Sequence, residues 1–375
     1  MIEASLLSII GACLLAGQFV RIELFNRMVN GYGQEFFILL FILYSIRKYG
    51  LKPVWKLLQK WDVRAIFVVF VVSFLLTIKD YTLAQNSIAF LFPLRIILYV
   101  LFGVYLADVI KRQKNIRIFL DSLLFTFSIL LLIATAIQYI FFTNLWSMHS
   151  AGWDPHEFRA YVTFLDVFVA GAIFGMFAFY WAKKRNWVLA VLFVVCVVLS
   201  FSRSAYVSFL FATCISLFPR KKWKEFVTIL AFFITLILFV PKPFGEGVNL
   251  LRTVSINSRV LDYREALSIW QKQPLFGHGY NRIRFVKENR DLIKIDDQSH
   301  AASSFHSSYL IILATMGVVG LTVFLFCLFQ LVKQFPESSS ILFFIFCMSL
   351  FDNVILHVLV LLPLVLLIVS LKKQH

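Results

Sequence analysis

Apolar runs of helix length follow one another along almost the whole chain, separated by short polar breaks. A helix needs about 20 apolar residues to cross a bilayer. Because each run is continuous, the pattern favours helices over the alternating strands of a barrel. The predicted spans are residues 4–21, 34–47, 64–79, 87–110, 118–143, 161–182, 187–202, 204–219, 225–241, 305–331, 339–353 and 354–371. The pattern therefore predicts an all-α polytopic membrane protein of about 12 transmembrane helices, with residues 1–375 forming a single domain.

The composition agrees with this prediction and excludes other classes of protein. Hydrophobic residues make up 60% of the chain and include 43 Phe, whereas soluble domains are about 45–50% apolar. The formal charge of +16 is dispersed among the polar breaks, so it indicates membrane topology and no nucleic-acid partner. The five cysteines all lie in apolar runs without C-x-x-C spacing. That pattern predicts neither a disulfide framework nor a metal site.

Lys and Arg are concentrated in alternate breaks between the predicted spans, and this bias orients the chain because basic loops stay in the cytoplasm. The basic breaks contain Arg47, Lys48, Lys52, Lys56, Lys60, Arg64, Lys111, Arg112, Lys114, Arg117, Lys183, Lys184, Arg185, Arg220, Lys221, Lys222, Lys224, Lys333, Lys372 and Lys373. The intervening short breaks contain Arg21, Arg27, Lys79, Arg159 and Arg203. Both termini are therefore predicted to be cytoplasmic. Residues 242–304, between the ninth and tenth spans, are predicted to form a large extracytoplasmic loop.

A second extracytoplasmic loop, residues 143–159, is rich in aromatic residues. Trp146 and Trp153 fit the belt of aromatic side chains found at headgroup level. His149 and His156 are seven residues apart with no third ligand nearby, so their spacing does not favour zinc binding. Interfacial anchoring is the favoured interpretation of this loop, and substrate binding is the alternative.

Ionisable residues within or beside the spans are candidates for function because they are costly at membrane depth. Arg203 lies in SFSRSAY between two short apolar runs, and Arg95 lies inside FPLRIIL. A structural interpretation stays open for each. Arg203 can extend its guanidinium to the interface, and Arg95 can pair with an intramembrane acid such as Asp166 or Asp121.

Residues 258–321 contain the longest polar excursion of the chain. Within it, residues 258–273 predict an amphipathic helix capped by Asn257 or Ser258. Its apolar stripe consists of Val260, Tyr263, Leu267 and Trp270, while Arg259, Asp262 and Lys272 lie off the stripe. Gln273-Pro274 ends the helix, and Gly277 and Gly279 predict a turn. The G-x-G here follows a helix, which argues against a nucleotide-binding fold.

The rest of the excursion carries charge and then a histidine. Arg282, Arg284, Lys287 and Arg290 form a basic run. Such a run is usually a solvated face, although collectively it can attract an anionic lipid-linked substrate. His306 is predicted in the first turn of the tenth span, followed closely by Tyr309. Histidine titrates near neutral pH and suits a general base.

Three motifs in this region resemble the O-antigen ligase/polymerase family of bacterial membrane enzymes. They are SFSRSA around Arg203, SRVLDYREALSIWQKQPLFGHG around Arg259, and a histidine motif. The histidine motif is similar to the ligase pattern H-[NSQ]-x9-G-x-x-[GTV], which His306, Ser307, Gly317 and Gly320 match. The resemblance covers about residues 190–330. Ser307 stands where Asn is the commoner companion of the histidine.

The resemblance implies a metal-independent inverting glycosyltransferase without a cofactor, at the extracytoplasmic face of the bacterial cytoplasmic membrane. The implied donor is an oligosaccharide on undecaprenyl pyrophosphate in the membrane lipid. The acceptor is a glycan for a polysaccharide or O-antigen polymerase, or lipid A-core for a ligase. His306 is the implied base, and Arg203 and Arg259 are the implied pyrophosphate ligands. Arg95, Arg282, Arg284 and Tyr309 are further candidates for the site.

A transporter or flippase of the same lipid is a more distant alternative. It predicts polar residues along a path through several spans. In this chain the candidate residues are predicted to gather at one face of the membrane.

Overall fold

The computed structural model describes residues 2–24, 29–150, 156–218, 221–241, 247–293 and 304–372, which are predominantly helical. The first half contains α1 (Ile2–Ala16), β1 (Arg21–Leu24), β2 (Val29–Tyr32), α2 (Gly33–Tyr49), α3 (Lys52–Leu58), α4 (Trp61–Leu76), α5 (Leu83–Arg112), α6 (Lys114–Phe141) and α7 (Leu145–Ser150). The second half contains α8 (Val167–Lys183), α9 (Trp187–Leu199), α10 (Arg203–Leu217), α11 (Trp223–Phe239), α12 (Val254–Trp270), α13 (Ile283–Glu288), α14 (Ser308–Gln334), α15 (Ser339–Met348) and α16 (Val358–Leu371).

The predicted helical and membrane-spanning character is confirmed in its main features. Within the described residues, four segments are long and apolar enough to cross a membrane: Ile2–Val20, α5, α6 and α14. Five apolar helices in the same residues are shorter, and they include α8, α9, α10 and α16. Each predicted span overlaps a helix, but the number that cross the membrane stays a prediction. The elements that were not predicted include the antiparallel hairpin of β1 and β2 and the short helices α3, α7 and α13.

One predicted span begins later than expected. Residues 161–166 precede α8 as a 3₁₀ turn, with positive φ at Val162 and Leu165. The helix starts at Val167 because the Asp166 carboxylate caps it, accepting a hydrogen bond from the Phe168 N–H at 3.1 Å. A run that is apolar throughout gives no hydropathy signal for such a boundary.

The core is built around α8, which is buried along almost its whole length. Gly171 allows this close approach, since a Cβ there would lie 3.1 Å from the Ala205 Cβ of α10. A Cβ at Gly175 would overlap the ring of Phe344 in α15. The small residues of α8 therefore bring α10 and α15 against the same helix.

Arg95 pairs with an acid, as expected, but the predicted partners were wrong. Its Nε lies 2.6 Å from Oε1 of Glu35 in α2. Asp121 instead binds Lys184 at 3.1 Å, and Asp166 is the cap of α8. The reason is that α2 and α5 are neighbours in the fold, which the spacing of residues along the chain does not reveal.

α14 is interrupted at Gly317, whose φ of 67° and ψ of −170° are not helical. The turn at residues 274–279 crosses the helix at this point. Gly277 and Gly279 have positive φ, which confirms the predicted turn. A Cβ at Gly277 would overlap the backbone of Thr315, and a Cβ at Gly317 would overlap the carbonyl of Leu275. The crossing therefore depends on glycine in both segments that meet, the turn and α14.

The turn also satisfies the backbone groups that the interruption leaves without helical partners. The hydrogen bonds are His278 N–H to Ala314 O at 3.1 Å, Gly279 N–H to Thr315 O at 2.8 Å, Val318 N–H to Pro274 O at 2.9 Å and Val319 N–H to Leu275 O at 3.2 Å. Ser73 of α4 donates to Phe276 O at 2.7 Å and to Thr315 O at 2.9 Å. Irregular backbone inside a membrane protein is tolerated when protein groups pair it in this way.

Gly317→Ala is expected to destabilise the protein by about 2 kcal/mol or more. A backbone with φ of 67° and ψ of −170° is essentially restricted to glycine and costs another residue about 1–3 kcal/mol, and the overlap with Leu275 adds to that cost. The matched control is Gly33→Ala, where the nearest atom to the new Cβ is 3.5 Å away. Thermal unfolding in detergent measures both. Equal midpoints for the two variants would contradict the proposed role of the crossing.

Candidate active site

The turn between α9 and α10 presents Arg203 as the first residue of α10. Ser202 caps this helix by accepting a hydrogen bond from the Ala205 N–H. Phe201 has a positive φ of 48°, so the chain reverses sharply just before Arg203. Sequence SFSRSA thus encodes a reversal followed by a cap, and the arginine follows the cap directly.

The side chain of Arg159 stabilises this reversal of the chain. Its guanidinium is buried and donates to Ser200 O at 3.0 Å and to Phe201 O at 3.1 Å. Burial, together with repulsion from Arg252, lowers the pKa of Arg159 to about 9, so it remains a cation at neutral pH. Sequence reasoning counted Arg159 only for topology and missed this role.

Arg203 holds the segment that leads into α12. Its guanidinium donates to Leu250 O at 3.2 Å, to Arg252 O at 2.9 Å and to the Ser255 hydroxyl. These partners are neutral, so they leave the positive charge of Arg203 unbalanced. Arg259 lies close enough for the two guanidinium charges to repel.

Asp352 joins two of the motifs. It lies in the bend between α15 and α16, and its side chain is only 1% exposed. Its Oδ1 accepts from Arg259 Nη2 at 2.7 Å, and its Oδ2 accepts from the Ser204 hydroxyl. Sequence reasoning noted Asp352 only as the boundary between two spans. The available signal was an ionisable residue between two short apolar runs.

The third motif meets the same bend through its serines. Ser308 N–H donates to Ser349 O at 3.0 Å. The Ser308 hydroxyl donates to Asn353 Oδ1 at 3.2 Å and accepts from the Val354 N–H at 3.1 Å. The start of α14 is therefore attached to the segment that contains Asp352.

His306 is not in the first turn of α14, as expected, but two residues before the helix. Ser307 is the N-cap and accepts from the Leu310 N–H. Two groups of His306, its backbone N–H and its Nδ1, lie 2.8 Å and 3.2 Å from Oδ2 of Asp262 in α12. The cap at Ser307 leaves the histidine outside the helix, where its ring contacts α12.

The helix predicted at residues 258–273 is present, but its cap and its buried face were wrong. It begins at Val254 after the N-cap Thr253, so Asn257 and Ser258 lie inside it. Val260 and Leu267 of the predicted stripe are 43% and 40% exposed. The buried face instead contains Asp262, Ala266 and Ile269. Asp262 is tolerated on this face because it accepts hydrogen bonds from His306, and Arg259 beside it pairs with Asp352.

The four further candidates do not share these contacts. Arg282 is fully buried over the rings of Phe74 and Tyr81, at 4.1 Å and 4.8 Å. Arg284 pairs with Glu288 at 2.8 Å. Tyr309 donates to Phe346 O at 3.0 Å. Arg95 pairs with Glu35. Each of these four side chains therefore has a described partner other than Asp352 or His306.

The aromatic loop after α6 is described only in part. Trp153 and the side chain of His149 lie outside the described residues. Trp146 contacts His156, with ring centroids 6.4 Å apart. Burial and the neighbouring Arg159 and Arg252 lower the pKa of His156 to about 3, so this histidine stays neutral at physiological pH.

Asp352→Ala is expected to lower the free energy of unfolding by about 2 kcal/mol. Removal of one partner of a fully buried pair costs 3–5 kcal/mol, and the value here is smaller because Arg259 is 28% exposed. Asp108→Ala is the matched control, since its pair with Arg112 is more exposed and such pairs contribute about 0.5 kcal/mol or less. Thermal unfolding compares the two. A similar small loss in both would show that Asp352 does not support the site.

Comparison with known proteins bears on the same region. No curated protein sequence matches the chain. The family model described as O-antigen ligase matches residues 188–325. That range contains Arg203, Arg259 and His306 but not Asp352, which meets Arg259 only in the folded chain. The predicted resemblance to the O-antigen ligase/polymerase family is therefore confirmed over residues 188–325 of this membrane protein.

Proposed function

We propose that the protein transfers a glycan from undecaprenyl pyrophosphate to a sugar acceptor at the extracytoplasmic face of the cytoplasmic membrane. One observation carries the proposal. Arg259 pairs with the buried carboxylate of Asp352, Arg203 lies close enough to Arg259 for their charges to repel, and His306 contacts α12 one turn beyond Arg259.

The local charge balance favours an anion. Arg259 pairs with Asp352, whereas the described partners of Arg203 are carbonyl oxygens and a hydroxyl. The pair therefore has a net positive charge that a pyrophosphate would balance. Arg suits phosphate oxygens through its planar fork of donors. Fixed cations at a leaving pyrophosphate also stabilise the charge that develops on it in the transition state.

His306 is the histidine that this arrangement favours as the base. It is 30% exposed and hydrogen-bonded to a carboxylate. The pKa of His156 is lowered to about 3, which makes its ring a weak base. Burial also lowers the pKa of His278, whose ring contacts Ile269 O at 2.9 Å. A base next to the arginines would deprotonate the acceptor hydroxyl as it attacks the anomeric carbon.

The lengths of the helices that end at the site support access from within the membrane. α9, α10, α15 and α16 contain 13, 15, 10 and 14 residues, or about 15–23 Å at 1.5 Å per residue. A hydrocarbon core is about 30 Å thick. The charged ends of these helices therefore belong within the depth of the membrane, where such residues mark substrate paths. A polyprenyl chain stays in lipid while its charged head reaches the arginines.

The orientation of the site follows from the basic residues. Lys183, Lys184 and Arg185 separate α8 from α9, at the opposite end of α9 from Arg203. Basic breaks stay in the cytoplasm, so this arrangement supports an extracytoplasmic site and cytoplasmic termini.

Two acceptors are compatible with this donor chemistry. A polymerase extends a glycan with another glycan, and this is our first proposal. A ligase moves the finished glycan to lipid A-core, and the description of the matching family model favours that alternative. Purified protein is given a defined lipid-linked donor together with each acceptor in parallel reactions. A polymerase adds mass to the glycan acceptor, whereas a ligase adds mass to lipid A-core.

His306→Ala is expected to reduce glycan transfer by about 10²-fold or more, the usual contribution of a general base. The assay uses vesicles supplied with purified lipid-linked donor and acceptor, at matched protein level. Ser304→Ala is the control, since it alters a hydroxyl two residues away. Full activity of His306→Ala would remove the histidine from the mechanism.

Arg259→Ala is expected to abolish use of the donor, and Arg259→Lys to retain part of it, because a lysine keeps the charge but lacks the fork. Arg264→Ala is the matched control, since Arg264 is exposed on the other side of the same helix. Initial rates against donor concentration measure the effect. If all three variants behave like the wild type, Arg259 has no part in donor binding.

A further inference from the structure

Asp262 makes an unusual pair of contacts for a carboxylate on an extracytoplasmic helix. The same oxygen, Oδ2, lies 2.8 Å from the backbone nitrogen and 3.2 Å from Nδ1 of His306. The residue is 8% exposed. Among the described residues, its ionic partner is the histidine and no Lys or Arg. The described ionic contact of this carboxylate is thus with His306 and not with a permanent cation.

We propose that Asp262 is a positioning residue for His306 in glycan transfer, an inference that rests on the proposed role of His306 as the base. To donate to Oδ2, Nδ1 of the neutral ring must carry the proton. The lone pair is then on Nε2, the nitrogen that accepts the acceptor's proton. A carboxylate on the opposite ring nitrogen sets the tautomer in this way and stabilises the cation formed.

The reaction balances without any further group. The acceptor O–H bond breaks and its proton goes to Nε2, while the oxygen forms a bond to the anomeric carbon. The bond from that carbon to the pyrophosphate oxygen breaks, and its electron pair leaves with the pyrophosphate. His306 becomes an imidazolium whose Nδ1–H remains on Asp262.

α12 gives this arrangement a defined register. Arg259 and Asp262 lie three residues apart on the inward side of the helix, where Arg259 pairs with Asp352 and Asp262 accepts from His306. Ala266 and Ile269 continue the same face and belong to one apolar cluster with Ile311 and Ala314 of α14. The helix therefore holds the arginine and the orienting carboxylate at a fixed spacing against α14.

A purely structural role for Asp262 is the competing explanation, because its oxygen also accepts the backbone N–H of His306. Asp262→Asn separates the two roles. The amide oxygen still accepts the backbone hydrogen bond, but the negative charge next to the ring is lost. A structural role predicts little change in this variant, whereas a positioning role predicts a change in how the ring reacts.

The experiment combines two measurements on purified full-length protein. The first is carbethoxylation of His306 by diethyl pyrocarbonate at a fixed pH, followed by mass spectrometry. A carboxylate on Nδ1 makes Nε2 the nitrogen that attacks the reagent. Labelling of Asp262→Asn is therefore expected to be slower than labelling of the wild type. The second is transfer kinetics, where kcat is expected to fall by about 10²-fold or more with an unchanged KM for donor.

Asp80→Asn is the matched control, since it makes the same chemical change at an exposed carboxylate. It is expected to leave both measurements unchanged. Asp262→Ala replaces the amide variant if that variant does not elute as folded protein. Wild-type labelling and kcat in whichever variant folds would overturn the proposal.

The outcome also distinguishes this inference from the proposed function. If His306→Ala is inactive but Asp262→Asn labels and turns over like the wild type, only the role of Asp262 fails. If His306→Ala is fully active, the base assignment fails and the positioning role fails with it, even where labelling shows that the pair exists.

Discussion

The candidate site depends on the burial of one carboxylate, Asp352. A carboxylate removed from water remains ionised only where charges or donors replace the water. Arg259 supplies the charge and Ser204 supplies a second donor. These residues belong to α12 and α10, while Asp352 lies between α15 and α16. Satisfying a single charge therefore brings three separate parts of the chain to one place.

The same constraint leaves the site electropositive. One carboxylate cannot balance both Arg203 and Arg259, and the described partners of Arg203 are neutral. Keeping two like charges close together costs stability, which is typical of sites that bind a ligand of opposite charge. On the adjacent turn of α12, Asp262 is directed to His306 instead of to a cation. Arg259, which would bind the anion, and Asp262, which contacts the candidate base His306, thus occupy separate positions along one face of α12.

The crossing of the turn at residues 274–279 over α14 fixes how α12 and α14 lie relative to each other. The turn at residues 274–279 binds the interruption of α14 at Gly317, while Asp262 binds His306 before the start of α14. Nine residues separate Ser307 from Gly317, which is about 13 Å of helix. The eight steps from Asp262 to Trp270 span about 12 Å of α12. The two helices can therefore run side by side with both contacts formed, a physical reason for the spacing in the histidine motif.

The sequence by itself determined the helical membrane class, the three motifs and the turn at Gly277 and Gly279. These features depend on local hydropathy, on residue order and on the conformational freedom of glycine, all of which are written along the chain. Only the tertiary structure decided which charges pair. Arg95 met Glu35 instead of Asp166 or Asp121, and α12 buried Asp262 together with Ala266 and Ile269. Hydrophobic periodicity could not reveal this, because a charged side chain is buried only where partners satisfy it, and those partners are distant along the chain.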